Sequence, residues 1–312
     1  MALRERMTAL LAKIETAYGT DPTPTGAANA VLTSGLATHS LDVKRVERDL
    51  VRPFFGNSEA LTGAIFKRLE FNVEAAGSGA AGTAPAWGPL MRACGFAQTV
   101  TPGVKVEYKP VSSAIESVTI YLNEDGVLHA LLGARGDLSI QLDNGAIPSF
   151  RFSFQGLYVP VADASLPTVD FSAWKRPLVV SRTNTPTFSV HGSSPKMQAL
   201  SVAMGNAIAA DSLVGGAGDE ILITDRKPTG SLQIEAVTVA QKNWFGAMAN
   251  DTVGALQMVH GSTAGNILQI DMPGVQLMDP RMSSLNGRRM LQANLKLNPG
   301  ATGNDEITIT AK

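Results

Sequence analysis

The sequence predicts a mainly β chain made of two like β units, each with a short helix, behind an N-terminal arm. Three observations carry this prediction. Apolar and polar residues alternate with a period of two in many short runs, as half-buried strands require. Turn dipeptides suited to positive φ stand between those runs: Asp125-Gly126, Asn144-Gly145 and Asn286-Gly287. One order of elements also occurs twice, with a lag of 163 residues between Leu69 and Leu232. In both halves it reads strand, charged or Gly-rich loop, strand, Trp-bearing helix, hairpin, terminal strand.

From the N-terminus, Met7, Leu10, Leu11 and Ile14 fall at i, i+3, i+4 and i+7. That spacing predicts a short amphipathic helix or docked arm over residues 3–17. Residues 18–29, rich in Gly, Thr, Pro and Ala, predict an extended linker. Strand signal begins near Ala30 and continues through Leu41–Val46. A loop dense in both charge signs follows, with Pro53, Gly56, Asn57 and Gly63 as punctuation. Leu69, Phe71 and Val73 then alternate with Arg68, Glu70, Asn72 and Glu74. A Gly/Ala loop and a short helix at Trp87–Gly95 come next.

The clearest region is 115–158. Val118, Ile120 and Leu122 precede the Asp-Gly turn. Leu128 lies on the return strand, then Leu138, Ile140 and Leu142 alternate. After a second turn come Phe150, Phe152 and Phe154. This reads as an antiparallel meander. Pro160, Pro167, Pro177 and Pro186 mark a docked, extended linker. The second half reads as a strand at Lys196–Met204, a Gly-rich acidic loop at Leu213–Glu220, and alternation at Leu232, Ile234 and Ala236. A helix near Trp244–Met248 is followed by strands at Ala255–His260, Ile267–Met272, Leu291–Leu297 and Ile307–Ile309. The expected division is 1–29 arm and linker, 30–160 first unit, 161–187 Pro-rich linker and 188–312 second unit.

Composition narrows the function. The net charge is −1, from 26 basic and 27 acidic residues, so no global field attracts nucleic acid or an anionic membrane. The single cysteine, Cys94, forms no intrachain disulfide, which suits cytoplasmic folding. His39, His129, His191 and His260 lack the spacing of a helical metal site, and neither metal nor cofactor is expected. Charges around the first apolar run argue against a secretory signal, and no stretch approaches 18 uncharged apolar residues. Gly215-Gly216-Ala217-Gly218 lacks the Gly-Lys-Ser/Thr ending of a phosphate loop and precedes Asp219 and Glu220. The acidic pairs Asp219/Glu220 and Asp305/Glu306 are sequence neighbours, which face opposite sides of a strand. No catalytic signature is present, and an enzyme is not expected.

Lys44, Arg45, Arg48 and Arg52 are interleaved with Glu47 and Asp49. A nucleic-acid groove concentrates one sign; mixed signs suit ion pairs to a neighbouring copy or an ordinary solvated loop. With Arg4 and Arg6 of the arm, the residues Arg45, Glu47, Arg48, Asp49 and Arg52 are the candidate contacts between subunits or rings. The arm and the 44–62 loop are expected to touch a neighbour rather than their own core.

Several blocks of residues carry a family resemblance. They are Ala12–Ala30 with Val46–Pro53, Ser117–His129 with Gly133–Gly136, Ile147–Tyr158, and Ile223–Leu232. They resemble the major tail tube proteins of long non-contractile bacteriophage tails, those of siphophages. The resemblance implies that the two units are β-barrels or sandwiches of tail-tube type, each with a short flanking helix, in a structural virion protein whose rings stack into a hollow tube, the conduit for DNA ejection. It implies assembly in the bacterial host cytoplasm, with tail terminator, tape measure and distal tail proteins as partners. Passing DNA would make only transient contact, against a neutral or negative lumen wall, and no membrane insertion is implied. Two β units per chain favour a trimeric ring with pseudo-six-fold form over a hexamer. The alternative reading is a β-sandwich receptor- or carbohydrate-binding module of a phage tail, which would display exposed aromatics on a concave face.

Overall fold

The computed structural model describes residues 3–215 and 218–312. Of the Gly215–Gly218 loop, Gly216 and Ala217 lie outside the described residues. In chain order the first half contains β1 (Thr8–Ile14), α1 (Gly26–Asn29), β2 (Ala30–Val31), β3 (Thr38–Val46), β4 (Leu61–Glu74), α2 (Gly88–Ala93), β5 (Phe96–Thr101), β6 (Lys105–Pro110), β7 (Val118–Glu124), β8 (Val127–Asp143) and β9 (Ser149–Tyr158). Then come β10 (Ala162–Asp163), β11 (Thr187–Val190), β12 (Met197–Ala203), β13 (Asn206–Asp211), β14 (Glu220–Arg226), β15 (Thr229–Glu235), α3 (Trp244–Ala249), β16 (Val253–His260), β17 (Leu268–Leu285), β18 (Arg288–Leu297) and β19 (Thr308–Ala311). Every pairing between these strands is antiparallel. The chain is mainly β, as the alternation predicts.

The two halves share one topology. The first runs β3-β4-β9-β8-β7-β1 across its sheet. The second runs β12-β15-β18-β17-β16-β11. Numbered within its own half, each position holds the same strand in chain order. The agreement extends to a seventh strand. β10 pairs with the start of β8, and β19 pairs with the start of β17. α2 and α3 also follow equivalent strands. Trp87 caps one helix and Trp244 begins the other, and both rings are buried. The first unit has in addition the hairpin β5–β6, which the sequence reading passed over.

Long strands bend where their ladders slip. β8 pairs with β7 through Val127–Ala134 and with β9 through Leu131–Gln141, with a register shift near Leu132–Arg135. β17 does the same between β16 and β18, with its shift at Met278–Arg281. Such bulges add twist and let one strand serve two parts of a folded sheet. The tight turns are the expected ones. Asp125 and Gly126 take φ of 40° and 108°, and Asn286 and Gly287 take 49° and 74°, both residues positive as a two-residue hairpin requires.

The core is aliphatic with one aromatic cluster. Phe71 stacks near Phe154 with centroids 5.9 Å apart, and Phe150 meets the edge of Trp87 at 5.2 Å. The Trp87 indole donates to the Ala76 carbonyl at 2.8 Å, which satisfies its buried N–H.

One expectation is overturned. Residues 3–17 form neither an amphipathic helix nor an arm that leaves its own core for a neighbour. Thr8–Ile14 is an interior strand, paired along its length with β7 and on its other edge with β2. Ala9, Leu10, Leu11 and Ala12 are all buried, so both faces of the strand are covered. A strand apolar on both faces hides its period of two. The residues after it are extended as expected, except for the single turn α1. There Gly26 leaves no room for a side chain, because a Cβ would sit 2.1 Å from the Thr168 carbonyl oxygen.

The Pro-rich segment docks as expected, and its Trp174 indole donates to the Ala30 carbonyl. The halves are nevertheless joined directly. β12 pairs with the far end of β8, Leu200 opposite Leu142 and Val202 opposite Ile140. β19 pairs with β6. The hairpin β13–β14, whose strands flank the Gly-rich acidic loop expected from sequence but carry no clear strand signal of their own, crosses from the second unit onto the first. Asn206 donates to the Cys94 and Gly136 carbonyls, and Arg135 donates to Glu220 and to the Ile221 carbonyl.

Candidate assembly surface

Sheets end in edges, and an unpaired edge is a template for another strand. Two edges matter here because of what their equivalents do inside the chain. Among the described residues β3 pairs with β4 alone. The end of β17, Arg281–Leu285, pairs there with β18 alone. The equivalent positions, β12 and the end of β8, pair with each other. At that internal joint Leu200, Val202, Ile140 and Leu142 are at most 1% exposed. At the free edges the core-side residues are bare: Leu41, opposite buried Lys67, is 52% exposed, and Met282, opposite buried Leu291, is 46% exposed.

β3 and β4 extend beyond the body as a hairpin whose connecting segment is 47–60. Most of the residues singled out from sequence lie there. Arg45 is exposed near the end of β3, and Glu47 and Asp49 are exposed just beyond it. Arg48 pairs with Glu59 across the hairpin, and the Arg52 guanidinium lies 5.9 Å from the Phe54 ring. Val51, Phe54 and Phe55 stand exposed beside them. This apolar tip is the part the charge pattern concealed. Arg4 lies elsewhere. Its side chain donates to Asp125 at 2.9 Å, and its backbone N–H donates to the same carboxylate at 2.8 Å. Those hydrogen bonds hold Asp125 down near 2. Arg4 thus ties the start of the chain to the β7–β8 turn, and Arg6 is exposed nearby.

A histidine cluster lies at the base of this hairpin. His39 and His129 both approach Glu124 Oε2, at 3.2 and 3.3 Å, with their rings 4.4 Å apart. Sequence spacing could not reveal it, because strand pairing brings the residues together. The three groups are near enough to one another to suggest a cation site. The donor chemistry points elsewhere. Lys67 Nζ is 2.7 Å from His129 Nδ1. A lysine donating to Nδ1 leaves the proton on Nε2, where it faces Glu124, so that nitrogen has no lone pair for a metal. The group is a hydrogen-bond chain from Lys67 through His129 to Glu124.

Lys67 is 1% exposed, and burial lowers its ammonium from 10.5 to about 8 against the opposing pull of Glu124. The unfolded chain therefore holds this proton more tightly between pH 8 and 10.5. Stability rises with pH across that window, and the penalty is fully present below it, at about 3 kcal/mol. Lys67→Met is expected to raise unfolding stability by about 1–3 kcal/mol at pH 7 and to change it little above pH 10.5. Denaturant titrations at both pH values measure this, and equal effects at the two would contradict it.

The other features give no catalytic grouping. A depression beside the β17–β18 turn holds Glu235, but its carboxylate is already paired with Lys196 at 2.8 Å and Arg288 at 3.1 Å. Trp87 and Trp244 are buried, so neither offers the exposed aromatic platform of a sugar-binding face.

A comparison with known protein families matches residues 6–311 to the phage tail tube protein family. The chain belongs to that family. No curated protein matches it. As a tail tube protein it is a structural component of the bacteriophage virion, in the tail. The family implies self-assembly into a tube, and the bare strand edges are surfaces on which such association can act.

Proposed function

We propose that this tail tube protein closes into rings of three copies, each supplying two of six pseudo-equivalent β units. The rings stack into the hollow tube of a long, non-contractile siphophage tail, and that tube is the path of DNA ejection. The observation that carries this reading is the shared topology of the two halves, strand for strand through seven positions. Six like units give a closed ring in which no edge is left bare. A neutral chain also suits a conduit, since walls with strong affinity would retard DNA. A neutral or negative lumen wall follows from the same reasoning.

Assembly takes place in the bacterial host cytoplasm, with the tail terminator, tape measure and distal tail proteins as partners. The exposed charges Arg45, Glu47, Asp49 and Arg52 on the β3–β4 hairpin, with Arg48, contact a neighbouring subunit or ring, and so do Arg4 and Arg6. Electron microscopy of the purified protein in negative stain tests the reading. Rings or tubes are expected; discrete monomers that bind glycans would contradict it.

A further inference from the structure

We infer that β3 of one copy pairs antiparallel with the Arg281–Leu285 end of β17 in the adjacent copy. This repeats between copies the joint that β12 makes with β8 inside the chain. The inference rests on the ring reading and specifies its contact.

The reasoning starts from the internal joint. Within one chain, the first unit offers the far end of its fifth strand, Ser139–Asp143 of β8, to the second strand of the next unit, β12. The second unit has an equivalent fifth strand, β17, whose far end has β18 on one side and, among the described residues, no strand on the other. The first unit has an equivalent second strand, β3, whose outer edge is likewise unpaired. One donor and one acceptor of the same joint are thus left over, at opposite ends of the chain. They cannot satisfy each other within a copy, because the two units already meet through β8 and β12. Joined head to tail they repeat one interface, and a repeated heterologous interface makes a ring where its rotation closes, as the ring reading requires.

Side chains agree with this pairing. The internal joint keeps Leu142 and Ile140 on the same face as Leu200 and Val202, all buried. On the free edges, Leu41 and Met282 occupy that face and are about half exposed. Pairing would bury both and close the core at the seam. The segment after the second strand agrees as well. In the second unit it is the hairpin β13–β14, which lies across the first unit and anchors through Asn206 and Arg135. In the first unit it is the 47–60 segment with its exposed Val51, Phe54 and Phe55, which would lie in the same way over the second unit of the adjacent copy. That unit presents Phe245, on α3, and Val253, both exposed.

Cysteine pairs test the contact in tail tubes, whether grown from the purified chain or isolated with the tail. Chains carrying Leu41→Cys with Met282→Cys, or Leu41→Cys with Ser284→Cys, cover the registers that the internal joint allows. The native Cys94 is buried and stays silent. Under mild oxidation, at least one pair is expected to replace the single-chain band on a non-reducing gel with a ladder that stops at three chains. A ladder that stops at six would keep the contact and overturn the three-copy ring. Tubes of normal appearance with no cross-link from either pair would overturn the contact and leave the ring reading intact. A second variant guards against failed assembly. Leu41→Lys is expected to melt as the native chain does and yet form no tubes, and a variant that melts and assembles as wild type would overturn the contact.

Discussion

Removing residues 1–20 is expected to abolish folding rather than merely assembly. The deletion takes out β1, which is paired with β7 from Thr8–Glu124 to Ile14–Val118. Leu10 and Leu11 leave the core, each worth roughly 1.5–3 kcal/mol of burial. Glu15 leaves with them. Its carboxylate accepts from the Ser117 and Thr119 hydroxyls at 2.6 Å, from Gly133 N–H at 2.7 Å and from Gly19 N–H at 2.8 Å. Without it, Ser117, Thr119 and Gly133 become buried donors with no acceptor, at about 1–3 kcal/mol each. The sum reaches the whole stability of an ordinary domain, roughly 5–15 kcal/mol. The truncated chain should be insoluble or melt without cooperativity, as circular dichroism and soluble yield would report. A soluble, cooperatively melting product that only fails to assemble would restore the idea of a free arm.

Arg226→Ala is expected to lower stability by about 3–5 kcal/mol, the usual result of stripping one partner from a buried pair. Arg226 is the last residue of β14 and reaches across to the first unit. Its guanidinium donates to Glu306 at 2.9 Å, to Asn304 at 3.0 Å and to the Val111 carbonyl at 3.1 Å. Its side chain is 11% exposed and that of Glu306 is 7%. Truncation leaves the Glu306 carboxylate buried without a counter-charge. The melting temperature should fall by roughly 10 °C. The double change Arg226→Met with Glu306→Leu should recover most of that loss, because it removes both charges and keeps apolar volume. A single variant that melts as the native chain would show that the buried Arg226–Glu306 pair does not stabilise the fold.

The sequence made some of this architecture legible and hid the rest for definable reasons. The β7–β8–β9 meander was readable because one face is apolar, the other is polar, and Asp125-Gly126 fixes the turn. β1 was misread because Ala9–Ala12 is apolar on both faces, and Met7, Leu10, Leu11 and Ile14 then fit a helical period by chance. β13 was missed because Asn206–Asp211 is half alanine, with little contrast between faces. The repeated order of elements was visible, although the residues differ. β9 fills its inner face with Phe150, Phe152 and Phe154, where β18 uses Leu291, Ala293 and Leu295. A shared pattern survives such changes in volume when residue identity does not. The charged hairpin was visible as a run of mixed signs, but its bare edge and its apolar tip were not. The edge is a property of pairing, and only the partner strands reveal which one is absent.

In the proposed assembly, two like units in each chain make a ring of three copies. Electron cryomicroscopy of assembled tubes, viewed along the axis and reconstructed without imposed symmetry, decides this. Three chains per ring are expected, with both units of each chain on the lumen wall and density that approaches six-fold symmetry without reaching it. Six chains per ring, with one unit of each on the wall and residues 188–312 outside the tube, would contradict it.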